Sequence, residues 1–176
     1  TGTPLTAMGL SGIFVSSGPT LSSITNNTIA NLHNSYVGTS STTALTVRGI
    51  DLAVGANTID NNIIRNLTSA STIAGAGTTA NICGIVMRST TAPSTVTNNK
   101  IYSLKLTTTS TTTSTQISGI VWNPSSAGTN LLARNFIHSF DVAYTTTTAT
   151  AATFTGIDNG AGTSTIQNNM IRLGIN

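Results

Sequence analysis

The sequence predicts an all-β chain, wound as a right-handed parallel β-helix (a β-solenoid) of about five rungs of ~36 residues. It predicts one solenoid domain over residues 1–176. Three observations carry this: a composition unsuited to helices, two motifs that recur in step, and apolar residues that alternate at the period of a strand.

Thr, Ser and Asn supply 74 of the 176 residues, Glu is absent, and charged residues make up only 6%. These three small polar types compete with the helical backbone for hydrogen bonds, so long helices are disfavoured. Apolar residues are 38% of the chain and spread throughout, unlike a charge-rich disordered tail. The net charge of +3 rests on seven scattered Lys and Arg, a poor footprint for nucleic acid. With Cys83 the one cysteine, neither an internal disulfide nor a Cys-based zinc site is available. No apolar run approaches the ~20 residues that span a bilayer, so membrane insertion is not expected.

The repeat is marked by two anchors. A Gly-Ile pair recurs at Gly12, Gly49, Gly84, Gly119 and Gly156, at spacings of 37, 35, 35 and 37 residues. Between those pairs lies a second motif: Ile24-Thr-Asn-Asn27-Thr-Ile29, Ile59-Asp-Asn-Asn62-Ile-Ile64, Val96-Thr-Asn-Asn99-Lys-Ile101, Leu132-Ala-Arg-Asn135-Phe-Ile137 and Ile166-Gln-Asn-Asn169-Met-Ile171. Leu32, Leu67, Leu104 and Phe140 follow at a fixed distance. Two anchors in step at this period mark a stacked array.

Within each copy, apolar and polar residues alternate as on a strand. Leu10, Val47, Ile82, Ile117 and Phe154 stand two before each Gly, with polar residues beside most of them. The Ile after each Gly falls on the opposite parity, so the chain must bend or bulge there. Glycine at positive φ is the expected device. The series Asn27, Asn62, Asn99, Asn135 and Asn169 is expected to bend in the same way, and to pass amide hydrogen bonds from rung to rung.

The segments His33–Thr43, Thr68–Thr79, Lys105–Thr115 and Asp141–Ala152 are Thr-rich arcs, expected as a third strand or a protruding loop. Thr6, Thr43, Thr78, Thr113 and Thr150 each stand six before a Gly. If stacked at the ~4.8 Å strand spacing, they would form a hydroxyl ladder.

The Ile-x-Asn-Asn-x-Ile and Gly-Ile pattern resembles the parallel β-helix repeats of the pectate-lyase-like superfamily. Within it, the chain is most similar to Thr- and Asn-rich arrays of secreted or surface proteins from Bacteroidota-like bacteria. The resemblance implies a secreted or cell-surface location. Right-handed coiling follows from the general crossover preference. Neither end carries a recognisable cap, so the sequence predicts a segment of a longer array or a subunit that stacks end to end.

Candidates for chemistry are few. Asp51 and Asp158 share a repeat position but lie three rungs apart, roughly 14 Å at ~4.8 Å per rung. Paired glycosidase carboxylates lie about 5–9.5 Å apart, so no enzyme is expected. Asp60 and Asp141 have no partner in the pattern. No metal or other cofactor is implied. Arg65, Tyr102, His138 and Arg172 share one position and predict a basic and aromatic stripe on an outward face. Trp122 aligns with Val15, Leu52 and Met87 and is expected in the core.

The leading expectation is a non-enzymatic structural or adhesive solenoid that forms or extends a filament or surface stalk. The alternative is carbohydrate binding or processing through the stripe. Ice binding is a distant third: the positions four before each Gly hold a single Thr, Thr115, so a second threonine rank is missing.

Overall fold

The computed structural model describes residues 9–16, 21–37, 46–88, 94–108, 113–124, 129–143 and 152–174. The chain winds through three parallel sheets. The first stacks β1 (Leu10–Val15), β5 (Val47–Leu52), β8 (Ile82–Met87), β11 (Thr115–Trp122) and β14 (Ala152–Asn159) in that order. The second stacks β2 (Leu21–Thr25), β6 (Ala56–Asp60), β9 (Thr95–Thr97), β12 (Asn130–Ala133) and β15 (Ser164–Gln167). The third stacks β3 (Thr28–Ala30) and β4 (His33–Asn34), both on β7 (Ile63–Ser69), then β10 (Lys100–Leu106), β13 (Phe136–Val142) and β16 (Met170–Arg172). Each sheet is five layers deep, which makes about four complete turns rather than the five expected.

Every repeat position lands on its own equivalent one turn away, because the register pairs Val47 with Ile82, Ile59 with Val96, and Ile64 with Ile101. The core is therefore a set of aliphatic ladders. Ile50, Ile85 and Ile120 are fully buried, as are Ile59, Val96 and Leu132 in the second sheet and Ile64, Ile101 and Ile137 in the third. Trp122 takes the core place expected of it, and its indole N–H donates to Ser164 Oγ at 2.6 Å.

The glycines bend the reading of the sequence. None of the five Gly-Ile glycines lies at positive φ. They are needed for close approach instead. A Cβ at Gly84 would stand 2.6 Å from the Gly119 carbonyl oxygen and 2.6 Å from Ile101 Cγ2. A Cβ at Gly119 would meet Gly156 O and Ile137 Cγ2 at the same distances. The Gly of one motif thus packs against the Ile of the other, which is the physical reason the two anchors keep step.

The left-handed residues sit elsewhere. Asn26, Asn61, Asn98, Arg134 and Asn168 take φ of 53–58°, and each precedes the asparagine to which the sequence pattern assigned the bend. They turn the chain from the second sheet into the third. A second left-handed position, at Asn31, Asn66, Ser103 and Ser139, interrupts the third sheet's register. There it resets the parity so that both Ile64 and Leu67 point inward.

The inner asparagines form the buried ladder, while the left-handed residues outside them make exposed rung-to-rung bonds, such as Asn61 Nδ2 to Asn26 Oδ1 and Arg134 Nε to Asn98 Oδ1. Asn62 Oδ1 accepts from the backbone N–H and the Nδ2 of Asn27, both at 3.0 Å. Asn99, Asn135 and Asn169 repeat that geometry on Asn62, Asn99 and Asn135 in turn. Each of Asn62, Asn99, Asn135 and Asn169 also donates from Nδ2 to the carbonyl of Ile24, Ile59, Val96 or Leu132 one turn back.

Each arc opens on third-sheet strand residues, His33–Asn34, Thr68–Ser69, Lys105–Leu106 and Asp141–Val142, and the arc that is described throughout then continues neither as a further strand nor as a protruding loop. Residues 70–80 fold back over the outer face of the first sheet, ending in a one-turn 3-10 helix at Gly77–Thr79. Ala80, Cys83, Val86 and Val121 close an apolar cluster beneath it. This explains why β5, β8 and β11 are buried on both faces, whereas β7 and β10 alternate. Of the threonine series, Thr6, Thr43 and Thr150 lie outside the described residues. Thr78 offers its carbonyl to Arg48, and Thr113 Oγ1 donates to the Thr72 carbonyl.

Candidate functional site

The third sheet's outer face is the richest in chemistry. The register sets Arg65 beside Tyr102, Tyr102 beside His138, and His138 beside Arg172, so the four residues of the expected stripe are brought together. The Tyr102 and His138 rings stack at 5.0 Å with 2° between their planes. Phe136 stacks on His138 from its own strand at 4.4 Å. Lys100 Nζ lies 5.0 Å from the Tyr102 ring centre and 5.9 Å from that of Phe136.

Lys100 and Phe136 were not singled out in the sequence. The signal was there: both stand two before a stripe residue, on the same side of a strand. Ile63 and Met170 share that position and are 39% and 63% exposed, giving the face an apolar rank beside its cationic one. Burial, then the charges of Lys100 and Arg172, hold the His138 pKa below the ordinary imidazole value. Its Nδ1 lies 2.9 Å from Ser139 Oγ.

Beside the stripe runs a shallow groove of about 340 Å³, lined by Asn66, Ser103 and Ser139 at the left-handed corner and by Thr68, Lys105 and Asp141 beyond it. Lys105 and Asp141 pair at 2.6 Å with both side chains half exposed. Among the described residues, Arg65, Lys100 and Arg172 have no carboxylate within ion-pair distance. The stripe thus presents unneutralised positive charge around a stack of rings, an arrangement suited to contact with anionic or hydroxyl-rich surfaces.

The carboxylates are dispersed. Asp60 Oδ1 accepts from Thr97 Oγ1 and Asn98 Nδ2. Asp51 is not a solvated side chain. It is 2% exposed, bonded to Arg48 at 2.6 Å and doubly to Arg88. Arg48 stands three before Asp51 on the same strand, and Arg88 comes from just beyond β8, one turn on, two residues past the register partner of Asp51. Asp158 lies three strands from Asp51 in the first sheet. Among the described residues, no group of three or more His, Cys, Asp or Glu is placed to hold a metal ion. Cys83 is fully buried, and burial pushes its thiol pKa up to about 12, so it is no nucleophile at neutral pH.

The arrangement defines a parallel β-solenoid with a cationic, aromatic stripe on one sheet and an Arg-Asp-Arg triad on another, its Asp51 and Arg48 buried and its Arg88 partly exposed. Compared with known proteins, the chain matches no protein-family model, no curated protein and no solved structure.

Proposed function

We propose that this chain is a structural and adhesive solenoid of the secreted or cell-surface space, extending a filament or stalk by adding turns end to end. The observation that carries the reading is the complementarity of the ladder's two ends. In every internal rung the asparagine Oδ1 accepts from the rung before it. Among the described residues, Asn27 Oδ1 has no donor and the Asn169 backbone N–H has no acceptor. One end offers what the other lacks. The inward Ile166 and Ile171 are also 42% and 44% exposed, the face that a further turn would cover. The resemblance of the repeat to pectate-lyase-like arrays of Bacteroidota-like bacteria supports the extracellular placement.

Sedimentation velocity tests it. The chain should grow in size with concentration, and Ile171→Lys, which places a charge on the end face, should hold it as a folded monomer. A chain that stays monomeric at every concentration, or an Ile171→Lys variant that assembles as well as the parent, overturns the proposal.

The third-sheet face favours a second reading, carbohydrate binding. Tyr102, His138 and Phe136 turn their ring faces on one another. A sugar would therefore be held by the cations and the groove hydroxyls rather than flat on a ring. Glycan-array binding that is lost in Tyr102→Ala would support this reading, and an array without hits would remove it.

A further inference from the structure

The first sheet carries chemistry that the repeat does not explain. Among the described residues, Asp51 is the one carboxylate paired with two guanidinium groups, those of Arg48 and Arg88. Asp51 is 2% exposed and Arg48 is 5% exposed. Two cations on one carboxylate leave one positive charge in excess, and it borders solvent on the Arg88 side, where 31% of that side chain is exposed.

Donors are left over as well. Asp51 accepts from Arg48 Nη1 and from Arg88 Nε and Nη2, while the Thr78 carbonyl accepts from Arg48 Nη2. Arg48 Nε is buried with no acceptor. Arg88 Nη1 meets no acceptor among the described residues, and the Arg88 side chain keeps 31% of its surface.

The triad forms one wall of a cavity of about 470 Å³, with Ser11, Thr46 and Phe14 among its other lining residues. Phe14 pairs in register with Asp51 one strand away, and it is 56% exposed. An exposed aromatic ring therefore lines the same cavity as the spare Arg88 Nη1 donors.

We infer that this cavity binds an organic carboxylate, its anionic group on the free donors of Arg88 and its apolar body against Phe14. A single excess charge matches a monoanion. The free Nη1 of Arg88 offers charge-assisted N–H donors to a carboxylate oxygen. Phe14 adds an apolar contact that a bare inorganic oxyanion has no means of using. The site lies on the outer side of the first sheet, across its first three strands, of which β1 is the outermost.

The test is a titration of the full chain, followed by NMR, with benzoate, acetate and the neutral isostere benzamide. Benzoate should bind saturably and more tightly than acetate, and benzamide should not bind. Arg88→Gln, with its fold checked by circular dichroism, should weaken benzoate by roughly tenfold or more, the scale of one lost charge-assisted contact. Phe14→Ala alters an exposed side chain, so the fold should survive; it should erase benzoate's advantage while leaving acetate unchanged. Benzamide binding equal to benzoate, a benzoate response that never saturates, or indifference to both substitutions would overturn the inference.

Discussion

Replacing Asn99 by Leu probes the ladder at its centre. The side chain is 1% exposed. Its Oδ1 accepts from Asn62 N–H at 3.0 Å and Asn62 Nδ2 at 2.9 Å. Its Nδ2 donates to Ile59 O and Asn135 Oδ1, both at 3.0 Å. Two of the four bonded groups keep other partners after the change. Asn62 Nδ2 still reaches the Ile24 and Asp60 carbonyls, and Asn135 Oδ1 still accepts from the residue 99 backbone. The Asn62 backbone N–H loses its acceptor and the Ile59 carbonyl loses a side-chain donor. At about 1–3 kcal/mol for each buried group so affected, the substitution should cost about 2–6 kcal/mol. Urea unfolding at unchanged slope measures it. Asn27→Leu, in the half-buried first turn, strips no donor from a preceding rung and should cost less than half as much. A loss below about 1 kcal/mol at Asn99, or equal losses at both positions, would refute the reasoning, since a buried unpaired amide cannot be that cheap.

Other consequences are equally direct. Gly119→Ala should destabilise by about 2 kcal/mol or more, because the new methyl meets a backbone carbonyl that cannot move aside; thermal denaturation reads it, and an unshifted midpoint would contradict the close-approach role. Asp51→Leu should cost about 3–5 kcal/mol, since it leaves the buried Arg48 guanidinium without its carboxylate; the same unfolding assay applies. His138 has a folded pKa below its unfolded value, so the unfolded chain takes up the proton first as pH falls. Its contribution is intact above about pH 6.5, shrinks as pH falls from there to the folded pKa, and is constant below it. An NMR titration should place its midpoint under the ordinary value, and His138→Gln should flatten that part of the stability profile. Cys83 should resist thiol reagents in the native state at pH 8 and react on unfolding, so rapid native labelling would contradict its burial.

The solenoid was legible because its signals are local and repeated. Each Gly-Ile and Asn-x-Ile pair states its own place in a turn, and five copies average out the exceptions. The stripe of Arg65, Tyr102, His138 and Arg172 was legible for the same reason, since equal repeat position means adjacency in a parallel register. The role of the glycines was not. Positive φ and close approach both call for glycine, and only coordinates show that Gly84 faces a carbonyl and a methyl. Nor did the pattern show which asparagine bends the chain, because adjacent asparagines are alike in sequence while Asn61 turns and Asn62 is buried. The arc over the first sheet was hidden because Thr- and Ser-rich sequence has no periodicity to betray what it covers. That arc, and the triad beside it, depend on contacts between different turns: Arg48 with Thr78, and Arg88 with Asp51.

Electron cryomicroscopy of the concentrated chain bears most directly on growth by end-to-end stacking. It should show rods much longer than one molecule, with the ~4.8 Å layer spacing of parallel strands running unbroken across each junction and the Asn27 side of one copy seated on the Asn169 side of the next. Discrete particles of single-chain size at all concentrations, or rods whose layers break at every junction, would contradict it.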